Sequence, residues 1–191
     1  GNLLKDIAAA RLFDESLKLF HSGHGLETFT TLRKYKLFEP LFPQAEANFA
    51  DNETAHNLII EALRSTDERI AQEKSVTPAF IFAAILWGAL HARRDRLVAD
   101  GFDEVEAFKV AADEVIVEQV KSVAIPRRFT TVSREIWFFQ SRLMNPSPRS
   151  ALKLLDNPRF RAAYDFLLLR ARAGEPLAEL GEWWTKLQAT D

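Results

Sequence analysis

The sequence predicts an all-α fold, a compact and non-repeating bundle of about nine helices with no sheet. Three observations carry that prediction. Apolar residues return at helical spacing along most of the 191 residues. No stretch sustains the two-residue alternation, rich in β-branched residues, that a strand needs. Helix punctuation, a polar cap followed by proline or a closing glycine, recurs between the periodic segments. With 47% hydrophobic and 27% charged residues the chain is globular and long enough for one sizeable core.

The first helical pattern spans residues 8–22, with Leu12, Phe13, Leu17 and Phe20 on one side and Arg11, Asp14, Glu15 and Lys18 towards solvent; Gly23 and Gly25 end it. A second covers 26–35 on Phe29 and Leu32, and residues 37–43 turn on Pro40 and Pro43. The third, 54–73, points Leu58, Ile59, Ala62, Leu63 and Ile70 inward. Thr77-Pro78 is a suitable N-cap and N1 pair for the next. From 80 to 90 that helix is apolar nearly all round and should be central, while the run 79–90 is too short for a bilayer, which takes roughly 20 residues. Gly101 and Asp103 introduce a helix over 105–120, and Ile125-Pro126 breaks it.

Residues 129–143 follow, with Phe129, Val132, Ile136, Phe139 and Leu143 as a core stripe and Arg134, Phe138 and Arg142 as a second row. Ser147-Pro148 and Asn157-Pro158 signal two more starts, Gly174 stops the second, and 176–188 closes the chain with Trp183 and Trp184. These tryptophans, with Trp137, Phe138 and Phe166, could stack on bases, but aromatics at helical spacing are read first as core.

A near-neutral total of −2 hides a strong asymmetry. Residues 121–174 carry a net +8, mostly from Arg, whereas 1–120 carry −7 and 175–191 carry −3. A clustered basic patch is the electrostatic footprint of a nucleic-acid partner, and the planar guanidinium fork suits phosphate. On the helix from Pro158 the arginines fall into two rows. Arg161 and Arg172 share theirs with Asp165, while the row of Arg159 and Arg170 has no such acid, which makes these two the better phosphate candidates. The residues expected to contact nucleic-acid phosphates are Arg127, Arg128, Arg134, Arg142, Arg149, Arg159 and Arg170. The rival reading is a helical scaffold whose basic face recruits an acidic protein partner.

Nothing points to catalysis within the chain. His21 and His24 flank Gly23 with no third ligand at a metal-site spacing, and there is no phosphate-cradling glycine loop. The adjacent acids Asp14-Glu15, Asp67-Glu68 and Asp113-Glu114 diverge by about 100° on their helices and cannot jointly hold one ion. The absence of Cys excludes thiolate sites and fits a reducing, cytoplasmic setting. Gly1-Asn2 opens abruptly on an amphipathic helix with no visible signal peptide, and the expectation is a piece of a longer protein.

Three segments together resemble the bacterial poly(A) polymerase family in the part that follows its catalytic head. The first runs from Leu4-Lys5-Asp6-Ile7 through Ala10-Arg11-Leu12-Phe13 and Ser22-Gly23-His24-Gly25 to Leu41-Phe42-Pro43. The second is Ala124-Ile125-Pro126-Arg127-Arg128 continuing to Arg134-Glu135-Ile136-Trp137, and the third is Asn157-Pro158-Arg159-Phe160-Arg161-Ala162-Ala163-Tyr164-Asp165. The resemblance implies an enzyme that adds adenylates from ATP to RNA 3′ ends, its chemistry residing in an N-terminal head that uses ATP and Mg²⁺. It implies no cofactor or catalytic residue for this chain. The implied organisation is the end of a neck and the start of an RNA-binding body over 1–50, a central body over 51–122 and an arginine-rich region over 123–191. The implied partners are the single-stranded 3′ region of RNA, the chain's own catalytic head and RNA-decay proteins, with no membrane.

Overall fold

The computed structural model describes residues 2–190, and these form ten α-helices with no strand among them. They are α1 (Asn2–Phe20), α2 (Gly25–Lys34), α3 (Pro43–Phe49), α4 (Glu53–Ala71), α5 (Pro78–Ala99), α6 (Glu104–Gln119), α7 (Arg127–Met144), α8 (Pro148–Leu155), α9 (Phe160–Ala173) and α10 (Ala178–Ala189). The additional helix is α3. Pro43, read from sequence as part of a turn, instead occupies the first turn of α3, where a missing N–H costs nothing. Residues 157–159 form a turn in which the Asn157 side chain accepts the Arg159 N–H at 2.9 Å, so α9 starts later than Pro158 suggests. Ser147 caps α8 through a reciprocal bond with Ser150, whereas Thr77 stands at the start of α5 without a side-chain cap bond.

Every residue from Ile81 to Leu90 is buried, so α5 has neighbours all round: α3, α4, α6, α7 and α9 pack on it. Gly88 lets this happen on the α3 and α4 side. A Cβ there would meet Asn48 Oδ1 at 2.2 Å and the Ala55 Cβ at 2.5 Å. A smaller core joins the C-terminal part of α7 to α8, α9 and α10 around Phe160, Leu167 and Trp184. Trp137, Phe166 and Trp184 are fully buried, as read from their spacing, and Phe138 and Trp183 are half-buried against the same cores.

Burial also sets a pH response. His91 on α5 lies edge-on to Trp87, with ring centroids 4.2 Å apart, and its Nε2 has no hydrogen-bond partner. Burial, then the nearby Arg94 and Arg170, push its pKa down to about 4, with Asp95 opposing. The native ring is therefore neutral while the unfolded ring titrates near its ordinary 6.5. As pH falls below that value the unfolded chain takes up the proton first, and stability present above pH 6.5 is lost progressively towards pH 4. Urea titrations at pH 7 and 4.5 should show a smaller drop in stability for His91→Asn than for the wild type; equal drops would assign the loss to other groups.

Candidate nucleic-acid interface

Two hydrogen bonds clamp α7 onto the first turns of α5: Trp137 Nε1 donates to the Ala83 carbonyl at 3.0 Å and the Ser133 hydroxyl to that of Ala79 at 2.7 Å. Ile136 and Leu143 are buried beside them. The opposite side of α7 must then face outward, and at about 100° per residue Arg127, Arg128, Arg134, Glu135, Phe138 and Arg142 fall within about a third of its circumference. Arg127 and Arg128 are exposed and form no ion pair among the described residues. The guanidinium of Arg128 lies over Phe129 at 4.6 Å, that of Arg134 over Phe138 at 4.5 Å and that of Arg142 over Phe139 at 4.9 Å. Arg134 also stands 2.8 Å, Nε to Oδ1, from Asp113. That approach is a charge contact without hydrogen-bond alignment, and the aligned bond, Nη2 to Oδ2, is long at 3.5 Å.

Arg159 reaches the same face from the turn before α9 by donating its Nε–H to Glu135. Together with Phe138, Phe139, Arg142 and Pro158 the pair lines an open cavity of about 410 Å³. Cations at the rim of an open cavity are an arrangement that can hold a phosphate. Glu135 is the unfavourable charge there. Its bond to Arg159 is nearly half exposed on both sides, so the pair is worth little and can open towards a phosphate. Replacing Glu135 by Gln should tighten RNA binding several-fold at low salt, with the gain shrinking as salt rises. Fluorescence anisotropy with labelled RNA reads this directly; an unchanged affinity would place RNA away from this cavity.

Arg170, expected beside Arg159 as a phosphate contact, is only 6% exposed. Gly174, with φ of 121°, turns the chain at the end of α9 so that Glu175 comes back under it. The two form a forked pair, Nε to Oε2 at 2.7 Å and Nη2 to Oε1 at 3.0 Å. The remaining Nη1 donates to Gln140 at 2.9 Å, and the guanidinium lies over Trp87 at 4.8 Å. Arg170 is an internal strut between α9, α7 and α5. The expectation that the Arg159 and Arg170 row lacks acids fails for both, because Glu135 comes from another helix and Glu175 from beyond the helix end. Arg149 stands exposed at the start of α8 and is not among the residues that line the cavity on the α7 face.

In the other row the local pair read from sequence is present, Arg161 Nε standing 3.4 Å from Asp165 Oδ1, yet both arginines stay open to solvent. Arg161 and Arg172 are exposed and line a second, larger cleft of about 710 Å³ with Arg69 and Lys74. Arg69 and Lys74 were invisible to the charge count because they lie in the acidic part of the chain. Among the described residues no group of three or more His, Asp or Glu side chains gathers as a metal-binding set, and no helix is long and apolar enough to cross a membrane.

The fold and this face define a class, an all-helical body with an arginine-bearing outer surface. Comparison with known proteins supplies the family. Residues 100–191 match the family described as "Polymerase A arginine-rich C-terminus", and residues 1–49 match "Probable RNA and SrmB-binding site of polymerase A". These segments cover most of the chain, which belongs to the polymerase A family, as the sequence motifs imply. Across 195 residues it is 42% identical to poly(A) polymerase I of Salmonella typhi, and equally to that of Escherichia coli O157:H7, each alignment covering all of this chain. Identity to poly(A) polymerase I of Haemophilus influenzae is 42% over 190 residues, 97% of this chain. The chain spans 42% of the length of these relatives.

Proposed function

We propose that this chain is the RNA-holding helical body of a poly(A) polymerase, steadying the 3′ region of a single-stranded RNA while a catalytic head outside this sequence adds AMP from ATP. The observation that supports the reading is the outward face of α7, along which Arg127, Arg128, Arg134 and Arg142 lie on one side of the helix, with Arg142 and Arg159 lining the cavity beside Phe138 and Phe139. Guanidinium contacts to phosphates hold a strand without reading its sequence, which is what extension of a homopolymer requires. ATP and Mg²⁺ belong to the head in this reading. No chemical step is assigned to the side chains of this chain. The setting is the cytoplasm, where tailed transcripts pass to RNA-decay proteins.

Titration of short single-stranded RNA at several salt concentrations tests the proposal. Log K should fall linearly with log salt by ~0.7 for each phosphate neutralised, with similar affinities for oligo(A) and mixed sequences. Absence of binding at low salt by a folded sample would reject it.

A contact with protein has its own support on α1. Leu3, Leu4 and Ile7 are 72%, 76% and 50% exposed there, within the segment whose matched description names a protein, SrmB, alongside RNA. Pull-down of a partner that survives RNase and is lost in Leu4→Ser/Ile7→Ser would support it; capture that RNase abolishes would not.

A further inference from the structure

The larger cleft lies between the α4–α5 turn and α9, and its α4–α5 side belongs to residues 50–99, outside both matched family segments. Four cations line it, Arg69, Lys74, Arg161 and Arg172, against two carboxylates, Glu68 and Asp165. Phe80 and Leu168 give it an apolar floor. Arg69 fixes one wall by donating two hydrogen bonds to the Ser75 carbonyl, at 3.1 and 2.9 Å. The other cations are less committed. Arg161 is 72% exposed and stands 3.4 Å from Asp165, a loose pair, and Lys74 and Arg172 are exposed with no ion pair among the described residues. Asp165 itself is held above the usual carboxylate range by burial, with Arg161, Arg69 and Arg172 pulling the other way. The positive charge in the cleft is therefore in excess of what its own carboxylates answer.

Pro158 lines both cavities. On one side of it stand Arg142 and Arg159, on the other Arg161. We propose that the cleft is a second subsite for the RNA backbone: a strand held on the α7 face crosses Pro158 and sets further phosphates among Lys74, Arg161 and Arg172. This rests on the RNA-holding function proposed above and extends it to a path. The shared chemistry, a phosphate beside an apolar floor for a base, could also suit a free mononucleotide, and the experiment separates the two.

The test uses the 191-residue chain and 5′-labelled oligo(A) from about 4 to about 16 nucleotides, read by fluorescence anisotropy. Lys74→Ala/Arg172→Ala removes two exposed, unpaired cations, and thermal melting verifies that the fold is kept. Affinity for the long oligomers should fall several-fold and their salt slope should flatten by about 1.4, ~0.7 for each of two phosphates, while the shortest oligomers bind as before. Arg161→Gln should act in the same direction by about half as much in slope. If the wild type binds RNA and these variants match it at every length, the subsite is overturned and the α7 face stands alone. If the wild type binds no RNA at low salt, the underlying function fails first. AMP binding comparable to that of the long oligomers and lost in Lys74→Ala/Arg172→Ala would make the cleft a mononucleotide pocket and overturn the strand path.

Discussion

Arg170→Ala is expected to lower the stability of this domain by about 3–5 kcal/mol, the usual cost of breaking a buried ion pair from one side. Three groups lose their partner at once: the forked Glu175 carboxylate, the Gln140 amide oxygen, which is buried, and the face of Trp87. Lys in its place cannot restore the arrangement, because a single ammonium cannot present a planar fork to Glu175 while reaching Gln140 and stacking on an indole. Urea denaturation followed by circular dichroism reads the effect. A loss below about 1 kcal/mol would show that solvent replaces the network easily and that Arg170 is not the strut described. The fraction that remains folded should bind RNA with wild-type affinity, since the guanidinium of Arg170 is buried away from any phosphate.

The pair Arg127→Ala/Arg128→Ala should show the converse. Both side chains are exposed at the start of α7 and neither holds a carboxylate among the described residues, so stability should stay within about 0.5 kcal/mol of the wild type. RNA affinity should fall at least several-fold at low salt, and the slope of log K against log salt should flatten by about 1.4 if each guanidinium neutralises one phosphate. Salt-dependent anisotropy and thermal melting on the same samples decide it. An unfolded variant would assign the pair a structural role, and an unchanged slope would move the RNA elsewhere. Set beside Arg170→Ala, the experiment divides the arginines into those that hold the protein and those that hold its ligand.

The helices were legible because their core stripes are local. Ile136, Phe139 and Leu143 on α7, and Phe160, Tyr164 and Leu167 on α9, declare their buried side within one or two turns. Prolines were harder to read: Pro43 begins α3 where a turn was expected, and Pro158 lies in the turn before α9 where a helix start was expected. The outer face of α7 was partly visible in the row Arg134, Phe138 and Arg142. What the sequence could not disclose was each arginine's partner. Glu135 meets Arg159 from 24 positions away, and Glu175 meets Arg170 only because Gly174 reverses the chain. A wheel drawn for one helix contains neither acid, which is why Arg159 and Arg170 looked unpaired, whereas the Arg161 and Asp165 pair lies within one helix and was legible. Arg69 and Lys74 escaped for a different reason: charge counted along the chain averages them into the acids around them, whereas charge gathered in space does not.

The three guanidinium groups of α7 that lie over phenyl rings carry a thermodynamic consequence. Long, flexible side chains normally surrender rotational freedom when they grip an anion, at about 0.5–1.5 kcal/mol apiece. Arg128, Arg134 and Arg142 have given up much of that freedom already, against Phe129, Phe138 and Phe139. A passing strand therefore meets a preset comb of charge, and most of the ordering still required falls on the polymer.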